Sequence, residues 1–305
     1  MSKKEHHVSK RYAKRKFNTI GLLLIVYALM VLILPFFLHM FLIEEDPQIM
    51  RDELLYYGIY FIIILFGTLI PFFLMRKMFK IPFKRINRDF TSTFTDLFVQ
   101  TIVFFTICLG LTYVSNILFS YINMEGKLIS SIGFSYDEAN LDNALYVFML
   151  IIVTPIIEEY AFRGVLLSAL SKYGKNFGLY ACSVVFALAH LSFAEMIPAF
   201  AMGVQLGKTS LRYRSIRPTI IIHILFNALI YALCVVPASI TRYVAYVLAV
   251  IIIVAAYLFI SGRYERIQIQ KLKSNRITNI VFYSRPTVII ALLLMVVDSL
   301  LFLLF

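Results

Sequence analysis

The chain has 305 residues, 61% of them hydrophobic, with a mean hydropathy of +0.84 and a formal net charge of +12. A soluble domain must turn a polar face to water and cannot hide that much apolar surface, whereas a protein whose outer face meets lipid can. Aromatics are abundant (28 Phe, 19 Tyr), Gly (12) and Pro (9) are sparse, and the apolar runs are continuous rather than alternating. These features favour long helices over a β-barrel. Cys108, Cys182 and Cys234 all sit within apolar runs. An odd, buried set of cysteines gives no disulfide framework and reads as small core residues.

Nine apolar segments follow in chain order, at about 17–43, 54–75, 97–122, 143–170, 177–192, 194–207, 218–236, 242–261 and 287–305. A span needs about 20 apolar residues. The fifth and sixth are short, and read as tilted neighbours or a re-entrant hairpin. The expected fold is an all-α polytopic bundle of 8–9 spans in three parts: a tail with three spans (1–142), a core (143–236) and C-terminal spans (237–305). Most of the 29 basic residues fall in the tail and in the loops 76–88, 172–175, 208–217 and 263–285; the alternate loops are acidic. The positive-inside rule then puts the N-terminus in the cytoplasm and the C-terminus outside. Charge placed in this way is a topology signal, so no nucleic-acid partner is needed to explain it. The first segment is too long for the apolar region of a cleavable leader and reads as a retained span.

The fourth segment breaks the apolar rule. It carries Glu158, Glu159 and Arg163 in the run Thr154-Pro155-Ile156-Ile157-Glu158-Glu159-Tyr160-Ala161-Phe162-Arg163. Each charge costs about 2.5–3.5 kcal/mol at a helix centre, so an ionisable residue there points to a functional site. Glu159 and Arg163 are four apart and share a helix face, which makes them a pair. Glu158 lies roughly 140° around from Arg163 at about 100° per residue and faces something else.

Of the five histidines, His6 and His7 lie in the basic tail and His39 near the end of the first span. His190 follows Phe186 by one turn on the fifth segment, and His223 precedes Asn227 by one turn on the seventh. A carboxylate, two imidazoles and an amide on neighbouring helices form a hydrolytic set. Glu158 can take a proton from water, an imidazole can share it, and His or Asn donors can hold an oxyanion. The same groups, Glu158, His190 and His223, would serve a divalent metal such as zinc, although no His-Glu-x-x-His motif is present. The competing reading is a polar network that only holds helices together. Depth raises a difficulty: His223 falls near the start of its span, Glu158 at mid-span and His190 near the outer end of a short segment. A single site therefore requires the fifth segment to start deeper, or the boundaries to move by one to two turns.

Glu158-Glu159-x-x-x-Arg163, Phe186-x-x-x-His190 and His223-x-x-x-Asn227 occur in that order, with Gly203-x-x-x-Gly207 and Pro218 between the second and third. In this the stretch 143–236 resembles the CAAX prenyl protease 2 family and its bacterial relatives, the CPBP (Abi) intramembrane proteases. The resemblance implies a peptidase working inside or at the face of the membrane. Glu158 would be the general base, His190 would assist, Glu159 and Arg163 would buttress the helix, and His223 and Asn227 would form the oxyanion site. Members are often described as metalloproteases, yet a metal-free glutamate mechanism fits these residues equally well and is the preferred reading. The resemblance further implies a membrane-associated peptide or protein as substrate, in bacteriocin or peptide-signal maturation or in self-immunity. The Ile-, Phe-, Lys- and Tyr-rich composition suits a bacterial plasma membrane. Two alternatives compete: a non-catalytic scaffold or immunity protein, and a proton-coupled transporter.

Overall fold

The computed structural model describes residues 10–35, 53–83, 94–120, 147–190, 192–235 and 276–304, with isolated positions 37, 89, 243, 246, 250, 253, 254 and 257. Among these the chain is all helix with no strand, as the continuous apolar runs imply. Helix α1 is Lys10–Ala28 and runs on as a π-turn, Leu29–Ile33. Helix α2 is Glu53–Met78 and α3 is Phe94–Ser120. The fourth segment is one continuous rod of changing pitch. It comprises a π-turn Met149–Val153, α4 Thr154–Glu158, a π-stretch Glu159–Leu166, and α5 Leu167–Leu170. Next come α6 Lys175–Leu188, α7 Phe193–Tyr213 and α8 Arg217–Val235, then α9 Arg276–Tyr283 and α10 Pro286–Leu304. The eighth expected segment, 242–261, falls almost wholly outside the described residues, as do His6, His7 and His39.

Two stretches, Phe61–Met78 and Asp96–Ser115, are long and apolar enough to cross a membrane on their own, and only 28% of each is buried inside the protein. The core helix of a soluble protein would be mostly covered, so this apolar surface is left for lipid. Lys175–Leu188, Arg217–Leu233 and Pro286–Val297 are shorter apolar helices. The sixth segment differs from its expected bounds, because α7 continues to Tyr213 rather than stopping near 207. Its last turns are polar and bonded to α3: Arg212 pairs with Asp96 at 3.1 Å, and the Gln100 amide donates to the Tyr213 hydroxyl at 2.8 Å. The helix then ends at Arg214, whose φ of 53° is left-handed.

The basic loops gather at one end. Lys16 donates to the Met78 carbonyl at 3.4 Å, and Lys172 to the Phe79 carbonyl at 2.5 Å. The Phe17 ring packs on Tyr173, Phe177 and Phe282, and Arg217 pairs with Asp89. At the other end the Ser115 hydroxyl donates to the Ala194 carbonyl at 2.6 Å, tying the far part of α3 to the start of α7.

Close packing depends on glycine. A β-carbon on Gly203 of α7 would lie 2.9 Å from that of Ser183 on α6, and one on Gly207 would lie 2.5 Å from a Leu179 methyl. Helices in lipid gain from such approach, since apolar side chains alone offer no preference for protein over lipid. Gly21 does the same for the first and last helices, where a β-carbon would meet the Val288 backbone nitrogen at 2.5 Å. At the turn into α6, Gly174 has a φ of 144°, which L side chains rarely adopt. An aromatic chain runs inward from α1: Tyr27 packs on Phe72 of α2, and both pack on Phe162 of the rod.

Replacing Gly21 by Val should separate α1 from α10, because the new atoms would strike backbone. The expected cost is about 1–3 kcal/mol, the usual range for overpacking. It is read as a lowered thermal midpoint in detergent. Gly110→Ala, where nothing lies within 4 Å, should leave the midpoint unchanged or slightly raised.

Candidate active site

The rod carries its charges inward. Glu159 is fully buried and Arg163 nearly so, and Arg163 Nη1 donates to Glu159 Oε1 at 2.7 Å. This is the i, i+4 pair expected from spacing. The guanidinium also lies over the Phe186 ring, 4.0 Å from its centroid, and its other nitrogen reaches the Met202 carbonyl at 3.5 Å. One buried cation is thus satisfied by a carboxylate on its own helix, an aromatic face on α6 and a carbonyl on α7.

His223 of α8 enters the same group. Its Nδ1 lies 3.0 Å from Glu159 Oε1, and its Nε2 lies 3.7 Å from Glu158 Oε2. Glu159 therefore serves Arg163 and His223 through a single oxygen, and Glu159 Oε2 has no hydrogen-bond partner. An ionised carboxylate only accepts, so Nδ1 carries a proton toward Glu159, and Nε2 faces Glu158. Glu158 differs from its neighbour in exposure, with 27% of its side chain open against none for Glu159. The π-stretch starts between the two glutamates. A π-turn closes on i+5 and so turns less per residue than an α-turn. It keeps the adjacent carboxylates close around the rod, where one imidazole meets both.

His190 comes to the group through the end of α6. That helix has only 14 residues and rises about 21 Å at 1.5 Å per residue, short of the roughly 30 Å of a bilayer core. His190 follows just beyond its end. Its Nδ1 lies 2.9 Å from the Phe186 carbonyl, one of those left open at a helix C-terminus. Because a carbonyl only accepts, Nδ1 again carries a proton. Phe186 is the common neighbour of both imidazoles, at centroid distances of 4.9 Å to His190 and 6.4 Å to His223.

Asn227 bonds to the rod. Its Nδ2 donates to the Leu150 carbonyl on the rod at 3.0 Å, so one of its two amide protons is already engaged. The reading from sequence placed Glu159 with Arg163 and did not find its bond to His223 or the cation–π contact with Phe186. Both cross between helices, and spacing within one helix carries no such information. Cys108 and Cys182 are free and buried, and Cys182 Sγ donates to the Phe162 carbonyl at 3.3 Å. Among the described residues no three of His, Cys, Asp and Glu are gathered to hold a metal ion. No step is derived through a metal.

A partly open carboxylate and an imidazole nitrogen lie side by side. The imidazole is oriented from behind by a second, buried carboxylate. A water bound between them would lose a proton readily.

No curated protein and no solved structure matches the chain. A family model does: residues 140–229 match type II CAAX prenyl endopeptidase Rce1-like. The matched stretch holds Glu158, Glu159, Arg163, Phe186, His190, His223 and Asn227, the residues whose order carried the resemblance. The match supports an intramembrane peptidase in general. The stretch 140–229, which holds the buried glutamate pair, is therefore similar to the Rce1-like type II CAAX prenyl endopeptidases.

Proposed function

We propose that the protein is an intramembrane endopeptidase that hydrolyses a peptide bond of a membrane-associated peptide or protein, with Glu158 activating the water. The observation that carries this reading is the contrast within the glutamate pair. Glu159 is sealed and bonded to Arg163 and His223, whereas Glu158 is partly open and has no hydrogen bond among the described residues. A network that served only to join helices would have no use for the second acid.

The water gives a proton to Glu158, and its oxygen adds to the scissile carbonyl. His223 Nε2, beside Glu158, takes over that proton. The imidazolium so formed is stabilised by Glu159 at Nδ1, in the way a buried acid orients the histidine of a hydrolase triad. It then donates to the leaving amine as the carbon–nitrogen bond breaks. His190, held by the Phe186 carbonyl, is the second imidazole on the site and assists.

The substrate class we assign is a membrane peptide of the bacteriocin or peptide-signal kind, or one handled in self-immunity, in a bacterial plasma membrane. Composition supports the bacterial setting. We assign the basic end of the bundle to the cytoplasm, on the strength of the positive-inside rule.

Three outcomes test these assignments. Glu158→Gln should fold and insert normally yet lose cleavage by about 10²–10⁴-fold, the usual contribution of a general base. The comparison is of membrane peptides from cells with the wild-type or variant protein. Equal peptide profiles would overturn the reading. Glu159→Gln and Arg163→Met should instead fail in stability, since breaking a buried pair costs about 3–5 kcal/mol. That loss shows as low folded yield. A single cysteine placed at Lys14 or Lys175 should react with an impermeant thiol reagent in inverted vesicles and stay unlabelled in intact cells.

A further inference from the structure

The geometry points to Asn227 as a positioning residue: its side-chain amide stands in for the backbone N–H that Pro155 removes from the rod, and so holds the turn that presents Glu158. The last step, to Glu158, rests on the proposed peptidase reading; the bond itself does not.

Backbone accounting carries the inference. In the π-turn Met149–Val153, the Thr154 N–H donates to the Met149 carbonyl, five residues back. The next bond in that register would run from residue 155 to the Leu150 carbonyl. Residue 155 is proline and has no N–H to give. The donor that would close on Leu150 in the α register, Thr154, is already committed to Met149. The Leu150 carbonyl is therefore an orphan in the middle of an apolar segment, where water does not compensate it. Asn227 Nδ2 lies 3.0 Å from that oxygen.

Helix α8 supplies the donor for a geometric reason. Asn227 is four residues after His223 and shares its face. That face holds the rod at two points, His223 on the glutamates and Asn227 on Leu150, one on each side of Pro155. Loss of the Asn227 bond would free the rod to shift at Pro155, and Glu158 is the third residue beyond it. An oxyanion donor acts on substrate and is indifferent to what stands at position 155. A surrogate backbone donor is not, because Pro155→Ala restores the N–H that it replaces.

The experiment is a double-mutant cycle of Asn227→Leu and Pro155→Ala in the full-length protein. Two readouts need no activity: thermal midpoint in detergent and amide exchange along 149–155. Asn227→Leu should lower the midpoint by a few degrees. It should also slow cleavage by about tenfold or more and shift the acid limb of the cleavage pH profile, as misplacement of a base does. Adding Pro155→Ala should return at least half of each loss, and the amide introduced at position 155 should exchange slowly. Asn227→Leu accumulating only together with Pro155→Ala counts as the same rescue. Equal losses in the single and double variants, or failure to fold in both, overturn the proposal. So does a loss of cleavage with no change in midpoint, which would place Asn227 on the substrate. If the wild type cleaves nothing, the peptidase reading fails while midpoint and exchange still decide the role of Asn227.

Discussion

Two charges that cannot reach water set the constraint on the rest of the bundle. Glu159 and Arg163 lie inside an apolar segment with almost no exposure, and an unpaired charge there would cost several kcal/mol. Their pairing along one helix is local, but it leaves donors and an aromatic contact to be met from outside. Phe186 covers the guanidinium, the Met202 carbonyl takes a second nitrogen, and His223 shares the carboxylate oxygen. The rod, α6, α7 and α8 are thereby positioned relative to one another by a single ion pair. A site built on rigid elements in this way keeps its geometry without a loop to order.

The helices can converge on that pair because their backbones are allowed close. Gly203 and Gly207 bring α7 against α6, and with it Met202, a residue away, toward Arg163. The rod contributes by changing pitch. Its two π-stretches flank α4, and the second begins at Glu159, where both carboxylates must face one imidazole. Such turns expose backbone groups that an α-helix would satisfy, and the Leu150 carbonyl is the instance on which the proposed role of Asn227 rests. Pitch changes at this position thus serve the geometry of the glutamates and create a need that α8 meets.

Much of the helical architecture was legible along the chain, because hydropathy is a one-dimensional property and lipid imposes it residue by residue. The Glu159–Arg163 pair was legible too, as an i, i+4 relation that holds whatever surrounds it. The end of α7 was not. Its last turns read as a polar loop, and only the partners Asp96, Gln100 and the α3 helix that presents them made those turns helical and internal. The bond between His190 and the Phe186 carbonyl depends on where α6 ends, which spacing alone does not give.

The division follows from the range of the forces. Sequence alone determined the helical class, the order of the apolar helices, the three motifs and the separation of Glu158 from Glu159, since each depends on periodicity within one segment. Tertiary structure decided which group each polar side chain meets. His223 on both glutamates, Phe186 between Arg163 and the imidazoles, and Asn227 on a carbonyl left open by Pro155 are contacts between segments. Their distances are set by packing across helices, which no spacing along the chain records.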